Sequence, residues 1–132
     1  MKTKLIPLMF MVALLSGLTA WAHHSFTAVY QQNKTVKIEG KIVQFLFRNP
    51  HSFVHVMAPG ETGTMIRWAI EWQGAGQLGA KGVSAEALKP GDPVIVTGNP
   101  GRDPAEHRIR MVTIKRTTDG FGWGTNPGEV VD

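Results

Sequence analysis

The strongest structural signal in this chain is the segment Thr35-Val36-Lys37-Ile38-Glu39-Gly40-Lys41-Ile42-Val43-Gln44-Phe45-Leu46-Phe47. Its apolar residues alternate with polar ones, which is typical of a strand with one buried face. They occupy even positions up to Ile42 and odd positions from Val43 onwards. Because Gly40 has no side chain, we expect the strand to bend or bulge there. A long, bent strand can serve both sides of a small barrel.

Four further strands are predicted downstream, over residues 52–58, 65–72, 93–97 and 107–115. Residues 73–82 are rich in glycine and are predicted as a loop. Residues 84–88 are predicted as a short helix with Ser84 as its N-cap. Three strands, a short helix and two strands predict an all-β fold with one short helix, an OB-like, five-stranded, partly open small barrel. Another small barrel or half of a sandwich is the alternative.

The core is predicted from the residues that share the inward phase of these strands. They are Ile38, Ile42, Val54, Val56, Ile66, Trp68, Ile70, Val94, Val96, Val112 and Ile114.

The start of the chain has the pattern of a secretory signal peptide. Lys2 and Lys4 precede an apolar run and the small-residue cleavage site Ala20-Trp21-Ala22. The run is shorter than the roughly 20 apolar residues of a membrane span, so we expect cleavage after Ala22 and no stable span afterwards. The predicted organisation is a signal peptide (1–22), a lead-in segment (23–34), the barrel domain (35–116) and a tail (117–132) that is loosely ordered apart from Phe121 and Trp123.

Composition excludes several kinds of chemistry. The 132 residues include no cysteine, which excludes disulfides, cysteine-ligated zinc, iron–sulfur clusters and thiol catalysis. The formal net charge is +4, and the predicted leader carries two of the lysines. Since no basic block remains in the mature part, nucleic acid is disfavoured as a partner. A charged leader without a lipidation cysteine predicts a periplasmic protein.

Four short motifs occur together in the mature chain: His23-His24-Ser25-Phe26, Asn49-Pro50-His51, the strand around Trp68, and Leu88-Lys89-Pro90-Gly91-Asp92. This combination resembles a family of small exported bacterial proteins of unknown function, over most of the mature chain. The resemblance implies an exported small β-domain, and it implies no particular activity.

Cleavage after Ala22 would make His23 the first residue of the mature protein. Its amine and imidazole, with a further nitrogen from His24, form a donor set that suits copper(II). The start is similar to the histidine brace of copper proteins such as lytic polysaccharide monooxygenases, although only His23 matches that pattern directly. His51 and His55 cannot both serve one metal, because they would lie about 13 Å apart along a regular strand. A further ligand is expected from His51, which stands at the turn after Pro50. The alternative is an exposed start with adventitious metal affinity.

A second hypothesis needs no metal. OB barrels commonly bind on the face of strands two and three, where the candidates for an oligosaccharide, a peptide or another small envelope ligand are Phe53, His55, Arg67 and Glu71. No nucleophile motif accompanies Glu39 or Glu71, and a lone strand carboxylate is expected to face solvent. The sequence therefore favours a binding protein over an enzyme.

Overall fold

A computed structural model describes residues 26–124. Its regular elements are β1 (Val36–Leu46), β2 (Phe53–Pro59), β3 (Met65–Glu71), α1 (Ala75–Ala80), β4 (Pro93–Pro100), a 3-10 turn (Pro104–Glu106), β5 (Arg108–Arg116) and β6 (Gly122–Trp123). The described residues contain no helix that is long and apolar enough to cross a membrane.

The strand β1 is shared between two neighbours. Residues 36–41 pair antiparallel with β4, and residues 41–46 pair antiparallel with β2. β2 continues to β3 and β4 to β5, and a parallel ladder of three residue pairs between β3 and β5 closes the barrel. The prediction of an all-β, OB-like barrel of five strands is confirmed.

Gly40 lies where β1 passes from one neighbour to the other. A Cβ atom at this position would lie 2.1 Å from the carbonyl oxygen of Met57, so the close approach of β2 requires glycine. The register shift itself falls between Ile42 and Gln44, around Val43, where the apolar alternation changes phase. The bulge of β1 therefore lies at Val43, beyond Gly40.

Seven residues of the predicted core are buried: Ile42, Val54, Val56, Ile70, Val94, Val96 and Ile114. Ile38 and Trp68 pack against this cluster from its edge. The prediction fails at Ile66 and Val112, which are half-buried, while Ile109 and Met111 are buried. At Val112 the reason is a bulge in β5: Thr97 pairs with Thr113 and Gly98 with Met111, so the ladder passes over Val112.

The helix lies earlier in the chain than predicted. α1 falls within the stretch predicted as a loop, and residues 84–88 form turns. The side chain of Leu78 is fully buried, and the Ala75 amide donates to the carbonyl of Arg48. These tertiary contacts override the low helix propensity of Gly76 and Gly79.

A sixth strand, which was not predicted, extends the sheet beyond β5. Trp123 of β6 pairs with Ile114, and Arg116 anchors the intervening turn through two bonds of 2.9 and 2.7 Å to Asp119. Arg116 also bonds Asp92 at 2.9 Å, which ties this turn to the loop before β4. The predicted signal peptide and the last residues of the predicted tail lie outside the described residues.

Candidate functional site

A buried carboxylate stands at the end of β3. Glu71 is only 7% exposed, which corrects the expectation that it faces solvent. The Tyr30 hydroxyl donates to Oε2, and Arg108 Nη2 lies 3.3 Å from the same oxygen. His51 Nδ1 lies 2.5 Å from Oε1. Since a buried charge requires partners and hydrogen bonds, these contacts explain how Glu71 can be buried.

Tyr30 reaches Glu71 through the segment before β1. Residues 26–29 form a helical turn, and Tyr30 pairs with Gly101 in an isolated β-bridge. A backbone bond from Gln31 to Pro100 fixes the segment further. Burial raises the pKa of the Tyr30 hydroxyl well above its usual range, and the bond to Glu71 raises it further. The hydroxyl is therefore held in its donating form.

His51 is positioned by the loop between β1 and β2. The next residue, Ser52, is fully buried, and its backbone bonds Gln73 and Trp72 at 3.1 and 2.8 Å. The Ser52 hydroxyl donates to the carbonyl of Arg48 at 3.2 Å. The loop is thus joined to the chain that follows β3, and this brings the His51 ring to Glu71.

The contact with Glu71 determines which nitrogen of His51 carries the proton. An ionised carboxylate only accepts hydrogen bonds, so in the neutral imidazole the proton is on Nδ1 and Nε2 keeps its lone pair. Within residues 26–124 no hydrogen bond to Nε2 is formed, and the side chain is 40% exposed. Metal-ligating histidines and catalytic bases are oriented by a carboxylate in this way. Nε2 is therefore available to a metal or to a ligand.

A cavity of about 280 Å³ opens beside His51, and we call it the His51 cavity. Aromatic rings form much of its wall. Phe26 stacks on His51 with ring centroids 5.5 Å apart, and Trp72 meets Trp123 edge to face at 5.2 Å. Glu71 and its partners Tyr30, His51 and Arg108, which we call the Glu71 network, therefore lie at the side of a largely aromatic cavity.

One of the three predicted metal ligands is found at this cavity. His51 lies there, whereas His23 and His24 precede the described residues. Phe26 contacts the His51 ring, so the described chain begins next to that histidine. Between residues 26 and 124, no three His, Cys, Asp or Glu side chains are grouped in a way that could hold a metal ion.

The alternative site was predicted from Phe53, His55, Arg67 and Glu71. Glu71 lies opposite Phe53 in the ladder between β2 and β3, but its carboxylate bonds Tyr30, His51 and Arg108. Arg67 donates to His55 Nδ1 at 3.0 Å and to Gln44 at 3.1 Å on the outer surface of β2 and β3. Burial lowers the pKa of His55, and the neighbouring Arg67 charge lowers it further. Phe53 lies under the guanidinium of Arg48, 5.5 Å from the ring centroid.

Sequence reasoning missed several residues of the site. In the cavity they are Phe26, Trp72, Arg110 and Trp123, and at the Glu71 carboxylate they are Tyr30 and Arg108. Their roles depend on contacts between distant segments. A weak signal existed for Tyr30, which is the single tyrosine of the chain and stands in a polar stretch. Arg108 and Arg110 alternate with the buried Ile109 and Met111, a pattern that indicates only an outward strand face.

Comparison with curated proteins gave no match. A match to a family of unknown function, DUF6152, covers residues 12–110. The matched region includes Tyr30, His51, Glu71 and Arg108, and it ends before Trp123. Because it covers most of the chain, the predicted membership of a family of unknown function is confirmed: the chain belongs to DUF6152.

Proposed function

We propose that this domain is a non-enzymatic, exported binding protein that holds copper(II) through His51 and the mature N-terminal His23. The observation that carries the proposal is the orientation of His51 by Glu71, which leaves Nε2 available beside the first described residue. A carboxylate that accepts a hydrogen bond from the far nitrogen of a ligand histidine fixes the ring and increases its basicity as a ligand.

The reach of the chain supports the same site. His23 precedes Phe26 by three residues, which span at most about 10 Å when extended. The Phe26 ring lies 5.5 Å from the His51 ring, so the amine and imidazole of His23 are within reach of Nε2. Three nitrogen donors from these two residues form a set that favours copper(II).

The proposal includes cleavage after Ala22 and a periplasmic location, because only cleavage frees the amine of His23. The amine and imidazole have reference pKa values of about 7.7–8.0 and about 6.5. Both groups must be deprotonated to bind metal, so copper affinity should weaken steadily as the pH falls from about 8 to about 5.

The test is a calorimetric copper(II) titration of the protein that begins at His23, followed by electron paramagnetic resonance. We expect His51→Ala to weaken binding at least tenfold, and Glu71→Gln to weaken it by about 10–100-fold. A version that begins at Ala20 should also bind more weakly, because its amine is displaced from His23. The matched control is His107→Asn, since His107 has a φ of 46° that asparagine tolerates.

Unchanged affinity in His51→Ala would refute the site, even if His23 and His24 bound copper locally. The metal-free alternative, a ligand on the outer face of β2 and β3, has weaker support. Arg67, its main polar group, is already bonded to His55 and Gln44.

A further inference from the structure

Arg110 is a cation on the wall of the His51 cavity that lacks an acidic partner. Its guanidinium carbon lies 4.1 Å from the centroid of the Phe26 ring, and within residues 26–124 it forms no ion pair. Arg108, two positions earlier on β5, is by contrast paired with Glu71 and Glu106. Arg110 therefore leaves positive charge at the cavity.

The cavity offers no free negative charge to balance Arg110. Among the described residues that line it, Glu71 is the only acidic one. Both of its oxygens are already occupied, Oε1 by His51 and Oε2 by Tyr30 and Arg108. Arg110 would thus repel a cationic ligand, with no free carboxylate to offset the repulsion, and would attract an anion.

The tryptophans of the cavity wall offer a ligand their rings and not their N–H groups. Trp72 and Trp123 are 4% and 8% exposed, and the Nε1 atom of each is itself almost fully buried. An oxygen of a ligand in the cavity therefore cannot reach these donors. Arg110 is the group that an anion can bind, and a guanidinium matches the two oxygens of a carboxylate.

We infer that the His51 cavity binds a small organic carboxylate, with its charge toward Arg110 and its apolar body between the aromatic rings. The volume of about 280 Å³ lies near the lower end of the range for small-molecule sites, about 300–1,000 Å³. The aromatic walls favour a ligand with an apolar body over a bare inorganic anion. The inference goes beyond the copper proposal, since its groups all lie within residues 26–124 and require no metal.

The probe is benzoate, titrated into the full mature protein in the presence of a chelator. Calorimetry and tryptophan fluorescence should show saturable binding of one benzoate. Benzamide, which has the same shape without the charge, should bind about tenfold more weakly or worse, because hydrogen bonds to a charged group are the stronger ones. Acetate should also be weaker, and benzylammonium should not bind. Equal binding of benzamide or benzylammonium, or no saturable binding of benzoate, would overturn the inference.

Three variants assign the binding to this cavity. Arg110→Gln should weaken benzoate binding about tenfold. Trp72→Phe and Trp123→Phe keep an aromatic ring in the wall and should weaken it less. The matched control is Lys37→Gln, which also removes one positive charge, but from an exposed position of β1 outside this cavity. Its affinity should be unchanged.

Arg110→Gln keeps the test decisive if a tryptophan variant fails to fold, because Arg110 is only half-buried. Benzoate binding of wild-type strength in this variant would refute the inference. Failure of the copper proposal is distinguishable, because the benzoate titration is made without metal and the copper titration without carboxylate.

Discussion

At the scale of single residues, Glu71 connects segments that are far apart in the chain. Tyr30 lies 41 positions away and Arg108 lies 37 positions away, yet both bond the same carboxylate oxygen. His51 approaches the other oxygen from the loop before β2. The state of this one carboxylate therefore affects the hydroxyl, the imidazole and the guanidinium together.

The titration of Tyr30 gives a prediction about stability at alkaline pH. Burial, and then Glu71, raises its pKa above the ordinary value of 10.0, so the unfolded chain loses this proton first as the pH rises. The stabilisation is fully present below about pH 10 and declines above it, by at most roughly 1.4 kcal/mol per pH unit. Since the chain has one tyrosine, tyrosinate absorbance should rise only together with the loss of circular dichroism.

The control for this measurement is Tyr30→Phe, which keeps the ring and removes the hydroxyl. It should be less stable than the wild type at neutral pH, by about 1–3 kcal/mol, because a buried acceptor loses its donor. Its stability should also fall less steeply above pH 10. Tyrosinate absorbance that titrates near pH 10 in the folded wild-type protein would contradict the prediction.

The sequence identified part of the site at this scale. His51 was selected by its place after Pro50, a local feature that the structure retains. The burial of Glu71 was not predictable, because strand alternation places it on an outward face and its cover comes from other segments. Tyr30 and Arg108 could be assigned to it only once the barrel had brought their segments together.

At the scale of elements, the same substitution should have opposite effects on stability at two glycines. Gly40→Ala should destabilise the protein by roughly 1–3 kcal/mol or more, because the new Cβ would lie 2.1 Å from the Met57 carbonyl oxygen. Gly79→Ala should stabilise it by about 0.5–1 kcal/mol. Gly79 lies within α1, and a Cβ there would meet nothing within 4 Å.

Chemical denaturation of both variants measures the difference directly. Each is the control for the other, since the residue added is the same and only the surroundings differ. An equal effect of the two substitutions would mean that the close approach of β1 and β2 at Gly40 does not constrain the fold.

The elements also differ in how well sequence predicts them. The five strands of the barrel are local features, because alternation and turn residues mark them. The formation of α1 is not determined by local sequence. Gly76 and Gly79 lower its helix propensity, and the burial of Leu78 offsets this only in the folded state. The phase of β5 changes at Val112, which the ladder with β4 passes over. The sequence shows that a change occurs, because Ile109 and Met111 occupy odd positions and Val112 and Ile114 even ones. It does not show which residue the ladder skips.

At the scale of the whole molecule, the Glu71 network spans the seam that closes the barrel. The parallel ladder joins residues 69–71 of β3 to residues 108–110 of β5, and the pair of Glu71 with Arg108 crosses it. Glu71→Gln should therefore increase hydrogen exchange at both sets of residues more than in the β1–β4 ladder. The control is Glu39→Gln, which makes the same change on an exposed position of β1.

A uniform rise in exchange across the barrel would indicate only a general loss of stability. Protection unchanged at the seam would show that the ladder closes the barrel without help from the network. The expected result is a rise in hydrogen exchange at residues 69–71 and 108–110 that exceeds the rise in the β1–β4 ladder.

The same seam governs the order in which the protein can be completed during synthesis. β1, β2 and β3 emerge first and pair as neighbours, but β3 has no partner on its other edge until β5 has been made. Until then Val54, Val56 and Ile70 belong to an open sheet whose apolar face is uncovered. A nascent chain that pauses before β5 therefore offers both a free strand edge and an apolar surface to other chains, and the speed of translation through the Pro/Gly-rich stretch after β4 sets how long that exposure lasts.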